Sequence, residues 1–125
     1  MKTIIFSLDT ALIELIKKLD SIFTKQLIFY QGSTDPLDVM SFVCSEISSI
    51  LIIDDDFLKP NTAHILRSVR KLHKKVVIIF VTSNTSIELG REISQLGMYY
   101  YAIKPVDKEE ISDILESILK KQNKN

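Results

Sequence analysis

Five short apolar runs, each ending at a polar or turn-forming residue, limit what this chain can become. They are Thr3–Leu8, Leu27–Tyr30, Ile50–Ile53, Val76–Val81 and Tyr99–Ile103. Each is continuous rather than alternating and rich in β-branched and aromatic residues, as strands buried on both faces of a parallel sheet should be. Between them lie stretches with helical spacing. Leu12, Leu15, Ile16, Leu19 and Phe23 form one apolar face, and Ile65, Leu66, Val69 and Leu72 another. Ile111, Ile114, Leu115, Ile118 and Leu119 form the cleanest stripe. Strand and helix alternating five times with short connections implies an α/β fold, a parallel sheet covered by helices on both faces. Five such units suit the flavodoxin-like (βα)5 arrangement with strand order 2-1-3-4-5, although spacing alone does not dictate strand order.

Local signals mark the helix ends. Asp9 or Thr10 starts the first helix, and the Ser-Thr-Asp-Pro entry around Pro36 starts the second. That second helix is apolar around most of its girth, through Leu37, Val39, Met40, Phe42, Val43 and Cys44. Thr85-Ser86-Ile87-Glu88 is a capping-box pattern, with Gly97 as the stop of the helix it opens, and Asp107-Lys108-Glu109-Glu110 opens the last helix. With 125 residues the chain is one domain, expected over 1–121 with a polar tail at 122–125.

Sixteen basic and sixteen acidic residues cancel, and this argues against a nucleic-acid-binding surface. A local basic cluster at Arg67, Arg70, Lys71, His73, Lys74 and Lys75 reads as a solvated helix end complementing the helix dipole. Cys44 is the sole cysteine, so neither a disulfide nor a cysteine zinc site can form within one chain, and it reads as a small core hydrophobe. No apolar stretch approaches a membrane span and no signal-peptide layout opens the chain, so a cytoplasmic protein without membrane contact is expected.

The runs end at groups with chemical use: Asp54, Thr82 and Lys104. In open α/β sheets ligands sit outside the carboxyl ends of the strands, so these three should converge on one crevice. A static role for the pair Asp54 and Lys104 is as compatible with the residues as a reactive one. Thr82 could equally cap the loop after its strand, and Asp55 and Asp56 read as solvated loop carboxylates, with Asp56 near enough to border the crevice. Tyr99, Tyr100 and Tyr101 lie together on an edge strand, where tyrosines are favoured at interfaces. His64 and His73 read as surface residues.

With these residues in place, the sequence resembles the receiver domain of bacterial two-component response regulators, over its whole length and without a gap from Asp54 to Pro105. The resemblance implies that Asp54 is the phosphoacceptor, Thr82 the strand-four hydroxyl, Tyr101 the switch aromatic, and Lys104-Pro105 the Lys-Pro pair whose bond is usually cis. It implies Mg2+ at an acid pair ending strand one, yet Lys2 to Leu19 aligns without a gap and puts Ser7 and Leu8 at those positions. Asp9 falls one position later. The Pro expected four residues after Asp54 and the Gly expected eight after are Leu58 and Thr62, with the Pro displaced to Pro60. Magnesium requires near-octahedral oxygen ligation, so Asp54 assisted by Asp56 or Asp9 should bind it weakly. Phosphorylation should be correspondingly impaired.

The expected function is therefore a stand-alone, atypical receiver acting through protein–protein contacts, not an enzyme. The implied partners are a histidine kinase, a phosphotransfer protein or a downstream signalling protein. The fourth helix, fifth strand and fifth helix would supply the partner face or a homodimer. A small flavodoxin-like cofactor-binding protein or enzyme is the alternative. Against it, Gly32, Gly90 and Gly97 form no phosphate-cradling loop, and Ser7-Leu8-Asp9-Thr10 is too short and apolar for a flavin loop.

Overall fold

Continuous β-branched runs become strands only if both their faces are covered, and here two of five are buried at every residue and a third at all but one. The computed structural model describes residues 2–19 and 26–123; Phe23 lies outside them. The strands are β1 (Thr3–Phe6), β2 (Leu27–Tyr30), β3 (Ile50–Asp54), β4 (Val77–Thr82) and β5 (Tyr100–Ile103), all parallel in the order β2-β1-β3-β4-β5. Every residue of β1 and β3 is buried, and in β4 all but Val77. The helices are α1 (Thr10–Lys18), α2 (Pro36–Ser45), α3 (Asp55–Leu58), α4 (Thr62–Leu72), α5 (Ile87–Ser94) and α6 (Lys108–Asn123). The last continues two residues beyond position 121.

Alternate residues of the central strands feed two cores, since successive side chains point to opposite faces. Leu51, Ile53, Ile78 and Phe80 pack with α2, α4 and α5 through Val39, Val43, Ile65, Val69 and Ile93. Ile50, Ile52, Ile79 and Val81 pack with α1 and α6 through Leu12, Ile16, Ile111, Leu115 and Ile118. Each buried aliphatic side chain contributes about 1.5–3 kcal/mol.

The caps decide where helices begin. Asp9 Oδ1 accepts from the amides of Ala11 and Leu12, and Asp107 Oδ1 from those of Glu109 and Glu110. The start of α5 is one residue later than the Thr85 pattern suggests: Ser86 Oγ accepts from Leu89 N and donates to Glu88. Gly97, at φ 76°, adopts the left-handed conformation that lets the chain turn back into β5.

Two expectations are corrected. Cys44 is exposed, because α2 buries Val39 and Val43, four residues apart, and Cys44 lies off that line. Arg70 is not a solvated cation. It donates to the carbonyls of Leu96, Gly97, Lys74 and Val76 and so ties α4 to the connections that lead into β4 and β5.

Candidate functional site

The parallel sheet brings the carboxyl ends of β1, β3 and β5 to one edge, and each run ends there on a polar group. Asp54, the last residue of β3, is buried, with 2% of its side chain exposed. Its Oδ1 accepts from the Asp56 amide at 3.0 Å, an interaction that also caps α3. Its Oδ2 accepts from Ser7 Oγ at 2.6 Å and from Lys104 Nζ at 2.9 Å. Lys104 follows β5, and the bond to Pro105 is cis, as is Lys59–Pro60.

The Lys104 ammonium does more than pair with Asp54. It also lies 2.8 Å from Asp9 Oδ2 and 3.1 Å from Asp56 Oδ2, so three carboxylates surround one cation. Burial alone would lower the Lys104 pKa. Hydrogen bonds to Asp9, Asp54 and Asp56 outweigh it and hold the ammonium well above the ordinary lysine range. The bond from Lys104 is the largest cause holding the Asp9 carboxyl below its usual range. Burial pushes Asp56 up, but Ser83, Lys104 and Lys59 together hold it below the usual value.

Thr82 ends β4 on the same edge but turns elsewhere. It is fully buried and donates to Asp55 Oδ2 at 2.9 Å, while accepting from the Asn84 amide. Asp55 is thus a buried partner, not a solvated loop carboxylate; β-strand pairing brings Thr82 and Asp55 together across 27 positions of sequence. Asp56 takes both donors of Ser83, its amide at 3.2 Å and its hydroxyl at 2.7 Å. Asp54, Asp56, Asp9, Ser7 and Lys104 therefore form one cluster, and Thr82 with Asp55 forms a second beside it. The signal that could have disclosed the second is Asp54-Asp55-Asp56: three adjacent carboxylates at a strand end cannot all face one crevice.

The tyrosines separate by face. Tyr101 packs on Phe80 with ring centroids 4.9 Å apart, and a Cβ at Gly90 would lie 3.9 Å from its hydroxyl. Burial, with the charge of Asp55, raises its pKa. Tyr100 packs on the opposite core, where burial, with the nearby Glu110 carboxylate, pushes it up to about 12. Tyr99 bonds Ser117 on α6 at 3.2 Å.

Whether a divalent ion suits this donor set is decided by which oxygens are free. Leu8, 57% exposed at the mouth, has no donor atom. The Ser7 hydroxyl is committed to Asp54, and the inward oxygens of Asp9, Asp54 and Asp56 are committed to Lys104. Among the described residues, no group of three or more His, Cys, Asp or Glu is arranged to hold a metal. The set does not fit a tight magnesium site.

No family model and no curated protein matches the chain. Solved structures do. A CheY-like response regulator receiver domain protein from Methanospirillum hungatei JF-1 superposes with a TM-score of 0.77 at 18% identity, covering 99% of this chain and 98% of that one. The signal receiver domain of a two-component histidine kinase from Clostridium thermocellum gives 0.80 at 15%, covering 95% and 97%. The response regulatory domain of mrkE from Klebsiella pneumoniae gives 0.74 at 20%, each chain covered completely. The fold is that of CheY-like receiver domains, a flavodoxin-like α/β sandwich.

Proposed function

We propose that this chain is a receiver-type signalling domain working through protein–protein contacts, with its strand-end carboxylate neutralised by Lys104 rather than switched by phosphoryl transfer. The receiver fold supports the first half, together with the sequence resemblance at Asp54, Thr82, Tyr101 and Lys104-Pro105. One observation carries the second half: a tethered ammonium sits 2.8–3.1 Å from three carboxylates. Transfer to a carboxylate brings two anions together, and bridging cations normally offset the repulsion. Here the crevice holds more negative charge than Lys104 balances, and every inward oxygen is engaged. Magnesium should bind weakly, through Asp54 with Asp56 or Asp9, and only by displacing Lys104.

The partners are a histidine kinase, a phosphotransfer protein or a downstream signalling protein, engaged on the face built by α5, β5 and α6 that carries Tyr99, Tyr100 and Tyr101. The test is incubation with acetyl phosphate and magnesium followed by intact-mass measurement, on the natural protein and on Asp54→Asn. The expected result is no phosphoryl adduct on either. A stoichiometric adduct on the natural protein that disappears in Asp54→Asn would restore an ordinary phosphorylation switch.

A further inference from the structure

The chain is neutral as a whole, but most of its exposed helix-end charges are sorted by end; Lys59 and Lys108 at the crevice end and the half-buried Glu46 at the other are the exceptions. In a parallel sheet each covering helix runs back against its strands, so helix starts gather at the crevice end and helix finishes at the other. Acidic residues stabilise the starts and basic residues the finishes. At the crevice end stand Asp35, Asp38, Glu88, Glu109 and Glu110, all exposed. At the opposite end stand Lys17, Lys18, Lys71, Lys74, Lys75 and Lys120, also exposed. None of Arg67, Lys71, Lys74 or Lys75 makes an ion pair among the described residues. The two sets are separated by the length of the sheet and cannot neutralise each other within one molecule.

Exposed apolar side chains follow the same axis. Ile47 (87% exposed) and Leu72 (68%) flank the basic end of α4, while Leu37 (75%), Ile87 (69%) and Leu8 (57%) lie at the crevice end. Leu37 adjoins Asp38, and Ile87 adjoins Glu88. Moreover α2, α4 and α5 cover the same face of the sheet. A second molecule shifted along the strand axis therefore brings Leu72, Lys71 and Lys74 over the first turns of α2 and α5. Apolar residues meet apolar residues there, and cations meet carboxylates.

We propose that the chain associates with copies of itself head to tail, the basic end of α4 in one molecule docking on the acidic crevice end of the next. Such a contact is heterologous, joining two different patches, so it repeats along a row or closes as a ring rather than stopping at a two-fold dimer. The docked molecule covers the mouth of the Asp54–Lys104 crevice at Leu8. This goes beyond the receiver reading and does not depend on phosphoryl chemistry.

Sedimentation velocity on the natural chain at low ionic strength should give a mass average that rises with concentration past the dimer. It should fall back to monomer at high salt, because exposed charges are screened within about 10 Å at 0.1 M. Two end variants make the geometry decisive. Lys71→Ser with Leu72→Ser and Lys74→Ser blocks the basic end; Leu37→Ser with Asp38→Ser blocks the acidic end. All five side chains are exposed, and circular dichroism confirms that each variant is folded. Each alone should be monomeric, and a mixture of the two should form a one-to-one complex and nothing larger. A natural chain that stays monomeric, or saturates as a dimer, overturns the proposal, as does a mixture that fails to pair. Monomers that sediment with phosphatidylserine vesicles but not with phosphatidylcholine ones overturn it in favour of a membrane surface.

Discussion

Replacing Lys104 by Met keeps most of the side chain's length and removes its charge, so the variant isolates what the ammonium does. Asp9 Oδ2, Asp54 Oδ2 and Asp56 Oδ2 lie 2.8, 2.9 and 3.1 Å from Nζ. Any two of these oxygens are thus within about 6 Å of each other, twice a typical hydrogen-bond length. At about 5 Å and an effective dielectric of about 20, two unit charges repel by about 3 kcal/mol. Breaking a buried pair by removing one partner costs about 3–5 kcal/mol, and Asp54 is the buried partner here. We expect Lys104→Met to lose about that much at neutral pH.

The loss should have two signatures that a simple packing defect would lack. Unneutralised carboxylates have raised pKa values, so the deficit should shrink as pH falls and one of them takes up a proton. Divalent cations should restore stability, since three carboxylates then face an empty cation position. At a free concentration of about 100 times Kd, the gain is about 2.7 kcal/mol. The assay is urea unfolding with and without magnesium, at neutral and mildly acidic pH, on both proteins. A variant with the natural midpoint, or one that magnesium leaves unchanged while the natural chain responds, would refute the view that Lys104 stands in for the metal.

Acid should weaken the natural chain at a defined point. Asp9 and Asp56 have depressed pKa values when folded, so their contribution is present above the unfolded value of about 4 and lost as pH falls through the folded ones. Stability that rises on acidification through this window would contradict the ion-pair cluster. Thr82→Val removes the hydroxyl that donates to buried Asp55, with an expected loss of about 1–3 kcal/mol in the urea midpoint. Thr82→Ser should recover most of that, and a Val variant as stable as the natural chain would show that the bond to Asp55 contributes nothing.

The sheet was legible because its signal is local and redundant. Continuous runs such as Ile50–Ile53 admit few folds, and Asp9, Pro36 and Asp107 mark helix starts by side chains acting within three residues. What depended on distant partners was not legible. Asp55 reads as a loop carboxylate until β3 and β4 lie side by side and supply Thr82. Arg70 reads as one cation among several until the turns leading into β4 and β5 present four carbonyls to it. Cys44 was misplaced because α2 is apolar nearly all round, so periodicity could not choose its inner face. The helix α3 escaped because Asp54-Asp55-Asp56-Phe57-Leu58 resembles a loop, and its cap is the strand-end carboxylate itself. The crevice lies between these extremes: its chemical types were visible at strand ends, but the number of carboxylates meeting Lys104 was not.

A switch requires two arrangements separated by only a few kcal/mol, so that a modest signal can exchange them. Several observations here favour a single arrangement. The strand-four hydroxyl is already bound to Asp55 and would have to leave a buried carboxylate to reach any group on Asp54. Ser83, the next residue, is held twice by Asp56, which in turn is held by Lys104. Tyr101 rests on Phe80, with ring centroids 4.9 Å apart, and its hydroxyl lies beside Gly90. Moving Thr82 toward Asp54 therefore disturbs the Asp55 bond, and moving the segment that carries it disturbs the two Asp56 bonds as well. The bonds that Asp55 and Asp56 make to the end of β4 thus work with the ammonium in the same direction. Together they favour one arrangement of the crevice, and any exchange to a second one has to break them.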